Sequence, residues 1–267
     1  MLRKGTFILM KTKIQDMTSG SPGRLIILFA IPLMLGNICQ QLYTMVDTMV
    51  VGQVVGVEAL AALGAVDFLM WVVTGISTGL TQGFSIQLSQ YYGAKDFENL
   101  RKSLAHSYRL TAFIAAGVLI LSQSFASLVL AGLHTPSNII GMSLLYLRII
   151  FCGIPATAAY NMFASALRAM GNSKTPLTAM IIASVLNVSL DILFVAGLGW
   201  GVAGAAIATV IAQSFSAVYC FLILRRIDIV HLTRADFMPA SGMNARLMKL
   251  GIPVCLLYTS PSPRDKR

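Results

Sequence analysis

Apolar residues in this chain fall in long stretches rather than in the half-apolar periodic patterns of a water-soluble core. A helix needs about 20 apolar residues to cross the hydrocarbon of a bilayer. Six stretches qualify: Leu25–Val46, Ala59–Gly83, Leu104–Ala131, Ile139–Ala166, Leu177–Ala196 and Val202–Leu224. Only short polar connections separate them. The pattern predicts an all-α integral membrane protein built as a six-transmembrane-helix bundle. Pro32 predicts a kink in the first helix, and Gly153 with Pro155 predicts a bend in the fourth. The second connection, YYGAKDFENLRKS, reads as a helix end, a turn at Gly93 and a new helix start. Asp96 and Glu98 suit that start, because the helix dipole favours negative charge there. In the sixth stretch, the rows Gly201, Ala205, Thr209 and Gly204, Ala208, Ala212 predict close helix packing.

The composition agrees: 56% of the residues are hydrophobic and only 11% are charged, against about 25% charged in a soluble domain. The net charge of +10 does not mark a nucleic-acid binder, since no basic, aromatic-interleaved segment exists. The charge instead reports topology. Lys and Arg occur in the amino-terminal tail, in the second connection (Lys95, Arg101, Lys102, Arg109), in the fourth (Arg168, Lys174) and after the sixth stretch (Arg225, Arg226, Arg234, Arg246, Lys249). The first, third and fifth connections have none. This alternation places both ends of the unit in the cytoplasm, and a plasma membrane of bacterial type is the expected location. The basic start is expected to lead into an uncleaved first helix rather than a signal peptide. The four cysteines show no zinc or redox spacing, and no disulfide is expected.

The domain reading follows from these breaks. Residues 1–23 form a cytoplasmic tail, 24–226 the six-helix lobe, and 227–250 a more polar cytoplasmic linker that is partly an interfacial helix. Beyond it, Leu250-Gly251-Ile252-Pro253-Val254 repeats the pattern of Phe29-Ala30-Ile31-Pro32-Leu33 at a spacing of 221 residues. Parallel repeats are a known transporter architecture, so 251–257 reads as the truncated start of a second lobe. Residues 258–267, with two prolines and a charged end, read as a non-native tail without function.

Polar residues inside the apolar stretches are the candidates for chemistry, because an Asp at the bilayer centre costs about 2.5–3.5 kcal/mol on insertion scales. In the first stretch, Asn37, Gln40, Gln41, Thr44, Asp47 and Thr48 share one helix face, and Tyr43 borders it. In the fifth, Ser184, Asn187 and Asp191 share a face, with Asn187 and Asp191 one turn apart. Two carboxylates with amide and hydroxyl oxygens suit a hard cation, or a carboxyl that takes up and releases a proton. The plainer reading is interhelical hydrogen bonding, and it is preferred for Asn37 and Gln40. For Asp47 and Asp191 a functional role is preferred, since holding helices together does not require charge. Asp67 and Arg148 each lie about nine residues into their stretches from the outer side, at about 1.5 Å per residue, and a structural ion pair is expected. Asn161 lies in the inner part of the fourth stretch. His106, His134 and His231 lack ligand-like partners and read as loop or interface residues. No P-loop, nucleophile triad or metalloprotease pattern is present. The chain is therefore not read as an enzyme, no cofactor is implied, and any transport would be driven by an ion gradient.

Several of these segments together resemble one family. QQLYTMVDTMVVG at 40–52 is similar to the first-helix motif of the multidrug and toxic compound extrusion (MATE) family, as is ALAALGA at 59–65. ALRAMGNSKTP at 166–176 resembles the loop between its fourth and fifth helices, and LNVSLDILF at 186–194 its fifth-helix motif. The resemblance covers about residues 16 to 257. It implies one lobe of a twelve-helix transporter that exchanges Na⁺ or H⁺ for small organic cations by alternating access. It further implies a cation-coupling site at Asp47, Tyr43, Asn187 and Asp191, with weaker matches at Thr209 and Asn161, and Na⁺ as a candidate at Asp47, Asn187 and Asp191. Membrane lipid and the second lobe of the same protein are the implied partners, besides the transported cations. Asp67 stands outside the family pattern. Two other readings are a lipid-linked oligosaccharide flippase of the same superfamily and a non-transporting membrane bundle. Arg148 alone is too little cationic charge for a pyrophosphate cavity, and the buried acids argue against mere structure.

Overall fold

The computed structural model describes residues 21–238 and 242–259. Their elements are helices joined by short turns: α1 (Pro22–Val54), α2 (Val57–Gly93), α3 (Phe97–Gly132), α4 (Ile140–Cys152), α5 (Ile154–Ala169), α6 (Lys174–Asp191), α7 (Gly201–Leu224) and α8 (Met243–Thr259). Helices α4 and α5 form the expected bent span, broken at Gly153 with an angle of 45°. Counting that pair once, the described residues hold six helical units long and apolar enough to cross a membrane. Helix α1 is continuous as a helix through Pro32.

The turn between α2 and α3 forms as the sequence predicts. Lys95 takes a left-handed backbone conformation. Asp96 then caps α3, accepting from the Asn99 backbone N–H at 3.2 Å and its side-chain amide at 2.7 Å. These two bonds, the side-chain one foremost, hold the Asp96 carboxyl below the usual carboxylate range.

The interior divides between the two ends of the bundle. At the basic end, Leu80, Phe84, Leu88, Leu104, Leu167, Cys220 and Leu224 pack together. At the other, Val51, Val66, Leu130, Leu147, Phe151 and Val202 do so. The outer flank is also apolar: Phe113 is 72% exposed, Leu128 66% and Val185 64%. A surface of this kind is stable against lipid, where helix association rests on close packing rather than on expulsion of water.

Glycine and alanine set the closest crossings. The alanine row of α7 is buried, as its pattern predicts, and a Cβ on Gly204 would sit 3.0 Å from Phe194. The tightest crossing is elsewhere. Gly75, Gly79 and Gly83 on α2 face α8, and a Cβ on Gly79 would lie 2.5 Å from the Cys255 Cα. Backbone therefore packs on backbone there.

The linker differs from its expected form. Residues 228–237 make two short 3₁₀ turns folded against α3, and α8 already starts at Met243, within the stretch assigned to the linker. Tyr258 and Thr259, assigned to a non-native tail, continue α8. Residues 1–20 and 260–267, which hold most of the two assigned tails, lie outside the described residues. Helix α3 holds the linker through polar contacts. Arg109 Nη1 donates to the Phe237 carbonyl at 2.9 Å, and Arg101 approaches Asp236 at 4.0 Å. His106, 1% exposed, bonds to Asn244 Oδ1 at 2.7 Å and to the Met238 carbonyl at 3.0 Å. His106 is thus an interface residue, while His134 lies in a turn and His231 in the loop between the two 3₁₀ turns.

Candidate ion site

Three helices bring the candidate residues together. Asn187 and Asp191, one turn apart on α6, both point into the bundle and are 1% and 0% exposed. Helix α1, packed along α6, supplies Asp47, 6% exposed. Asp47 lies within electrostatic range of Asp191. Helix α7 packs on the other flank of α6, and its Thr209 Oγ1 accepts from the Asn187 side-chain amide at 3.4 Å. Tyr43, Asn187, Thr209 and Gln213 line a small cavity beneath the acids. Tyr146 of α4, also buried, lies within electrostatic range of Asp47, Tyr43 and Asp191.

The oxygens at this site lack protein donors. Asp47 Oδ1, Asn187 Oδ1 and both carboxylate oxygens of Asp191 are buried with no hydrogen-bond partner among the described residues. Buried polar atoms are nearly always paired, because an unpaired one carries its full desolvation cost. A carboxylate with both oxygens buried and bare is completed by a proton, a cation or a bound water. The available ligand atoms are carboxylate, amide and hydroxyl oxygens, which fit a hard cation. No group of three His, Cys, Asp or Glu side chains gathers among the described residues, so a transition-metal ligand set is not assembled. Just beyond Asp191 the helix widens into a π-helical turn, Ile192–Gly197. Such turns occur disproportionately at functional sites.

Other expected residues lie elsewhere. Asn161 is not joined to the acids: its side-chain amide donates to Thr78 Oγ1 at 3.1 Å, between α5 and α2. The expected ion pair of Asp67 and Arg148 is not formed, since no contact within 4.0 Å joins them and both residues are exposed. Equal depth fixed their height but not the rotation of their helices. The polar face of α1 also divides. Asp47 turns inward, while Gln41, Thr44 and Thr48 line an open groove with Met45, Gly52 and Leu60. Gln213 and Tyr146 were not anticipated. Neither is unusual in a membrane helix, and only the fold brings them to the acids.

The fold and its buried acids define a multi-pass α-helical membrane protein with an inward-facing carboxylate site. The chain belongs to the MATE family: the family model MatE matches residues 32–193. It is 31% identical over 244 residues to the probable multidrug resistance protein YpnP of Bacillus subtilis, covering 91% of this chain and 55% of that protein. It is 29% identical over 250 residues to the probable multidrug resistance protein YoeA of the same organism, covering 91% and 54%. Among solved structures, a MOP superfamily transporter from Pyrococcus furiosus superposes with a TM-score of 0.86 at 26% identity, covering 92% of this chain and 55% of that one. The chain therefore spans a little over half the length of the relatives it matches.

Proposed function

We propose that this chain is the amino-terminal lobe of a secondary active efflux transporter of the plasma membrane. The complete protein would exchange Na⁺ or H⁺ for cationic organic compounds, with this lobe binding the coupling ion at Asp47, Asn187 and Asp191. The observation that carries the reading is the set of buried, unpartnered oxygens on these three residues. Thr209 orients the Asn187 amide, so that Asn187 Oδ1 is left to face the ion. Tyr43 and Gln213 close the site from below. The open groove beside α1 offers a polar wall for a transported compound or an adjoining lobe. The relatives' names, multidrug resistance proteins, support efflux as the activity. Ion binding would drive transport only to the extent that the ion prefers one access state.

The test is ion-gradient-driven efflux of a cationic dye from proteoliposomes containing the protein completed by its second lobe. Asp47→Asn is expected to abolish efflux, Asp191→Asn to be nearly as damaging, and Asn37→Ala, whose residue is exposed, to be much milder. Undiminished efflux by both Asp variants, with folded protein at wild-type levels, would make the carboxylates structural and end the proposal.

A further inference from the structure

A second cavity lies away from the acids. Helices α3, α5 and α7 enclose a groove of about 350 Å³, floored by Ala112, Ala115, Ala116 and Ala159 and closed at one end by aromatic rings. Between Tyr108 and Leu119 it follows about 16 Å of α3 at the helical rise. Ala112, Ala116 and Pro155 are exposed, and the neighbouring Phe113 faces outward, so the groove opens on the lipid-facing flank. Its width comes from alanine on both walls.

The two ends of the groove differ. At one end, Tyr108, Phe163 and Phe221, from three helices, form a ring cluster with centroids 5.4 and 5.2 Å apart. The Arg225 guanidinium lies 5.6 Å above the Phe221 ring. Arg225 is exposed and pairs with no carboxylate among the described residues. Arg226 and Arg109 are exposed at the same end of the bundle. The nearest acid along the chain, Asp228, faces His231 at 3.9 Å. No acid lines the groove. One turn from the aromatic end, Thr111 Oγ1 is buried beneath the groove surface, beside a small interior pocket lined by Ser77 and Thr81, with no hydrogen-bond partner among the described residues. Thr111 is itself 8% exposed and lines the groove.

We propose that this groove binds one acyl chain of an anionic phospholipid, with its headgroup charge at Arg225. The apolar length takes the chain, and the guanidinium takes the charge. Arginine over an aromatic ring presents its edge N–H groups in the fork geometry that suits phosphate. A neutral drug would use the apolar part and leave Arg225 unmatched. The groove shares no lining residue with the cavity at the acids.

The experiment is lipid retention by the full chain, purified in mild detergent containing equal amounts of phosphatidylglycerol and phosphatidylcholine and read by native mass spectrometry. Wild type is expected to retain one phosphatidylglycerol with about fivefold preference, the worth of one basic residue facing a net anionic headgroup rather than one whose phosphate is offset by choline. Arg225→Gln should remove the preference while some lipid of either kind remains. Ala112→Phe should fill the groove and lose both lipids, whereas Leu128→Phe, on the lipid-facing flank outside the groove, should behave as wild type. Ala159→Leu, on the facing wall, narrows the groove and should lower retention about threefold, which serves should Ala112→Phe not fold. Equal retention of the two lipids by wild type would overturn the proposal. So would a preference that survives Arg225→Gln, retention untouched by both groove variants, or a second copy of the chain bound in place of lipid.

Discussion

An aspartate in an apolar stretch is conspicuous because the membrane gives it nothing to bond, so whatever surrounds it must do so. Asp47, Asn187 and Asp191 were legible in the sequence for that reason, and the structure buries all three. What could not be read was azimuth. Counting residues gives depth along a helix, but not which neighbour a side chain meets, and the Asp67–Arg148 pair failed on that point. Asn161 shows the same limit in milder form, for its amide reaches Thr78 and not the acids. Asn161→Ala should therefore lower stability by about 1 kcal/mol, the worth of one ordinary hydrogen bond. It should leave the Na⁺ or H⁺ dependence of dye efflux in the complete transporter where it was. A changed ion dependence would return Asn161 to the site.

Helices were the easiest elements to predict, because lipid leaves the backbone almost no other way to satisfy its polar groups. Even the break in the fourth span was marked, by Gly153 and Pro155. The π turn after Asp191 carried no such mark; ILFVAG is an ordinary apolar run, and only packing against α7 and α1 shows where the helix widens. The glycines misled differently. The alanine and glycine rows of α7 drew attention, yet the closest approach is made by Gly75, Gly79 and Gly83 on α2, whose partner α8 lay beyond the six-helix unit. Gly79→Leu should overpack this crossing, at about 1–3 kcal/mol, and lift α8 away. Maleimide labelling of Cys255, now half-buried against α2, should speed up markedly in a chain whose other cysteines are serine. An unchanged rate would mean that α8 does not depend on the glycine row.

For the molecule as a whole, the alternation of basic connections makes a direct claim about sidedness. An impermeant thiol reagent applied to intact cells should label Leu198→Cys, in the connection after α6, and should reach Ala94→Cys only after permeabilisation. Both positions are exposed in the fold, so burial would not explain a failure. The opposite pattern would invert the chain in the membrane. Architecture at this scale was legible because it rests on run length and charge, which survive any change of side-chain detail. The linker was not, because its fold depends on specific partners on α3, above all His106, that no composition reveals.

The seat of α8 has a consequence for how such a chain divides. By ancestry, as the proline-centred repeat reads it, α8 would open the second copy of a duplicated unit. By contact it belongs to the first, held at its start through His106 and Asn244 and along its length by the glycines of α2. The unit that was copied and the unit that holds together are then different pieces of chain. Any rigid-body movement that preserves these contacts carries α8 with the first six-helix unit, so the linker before Met243 is not its pivot.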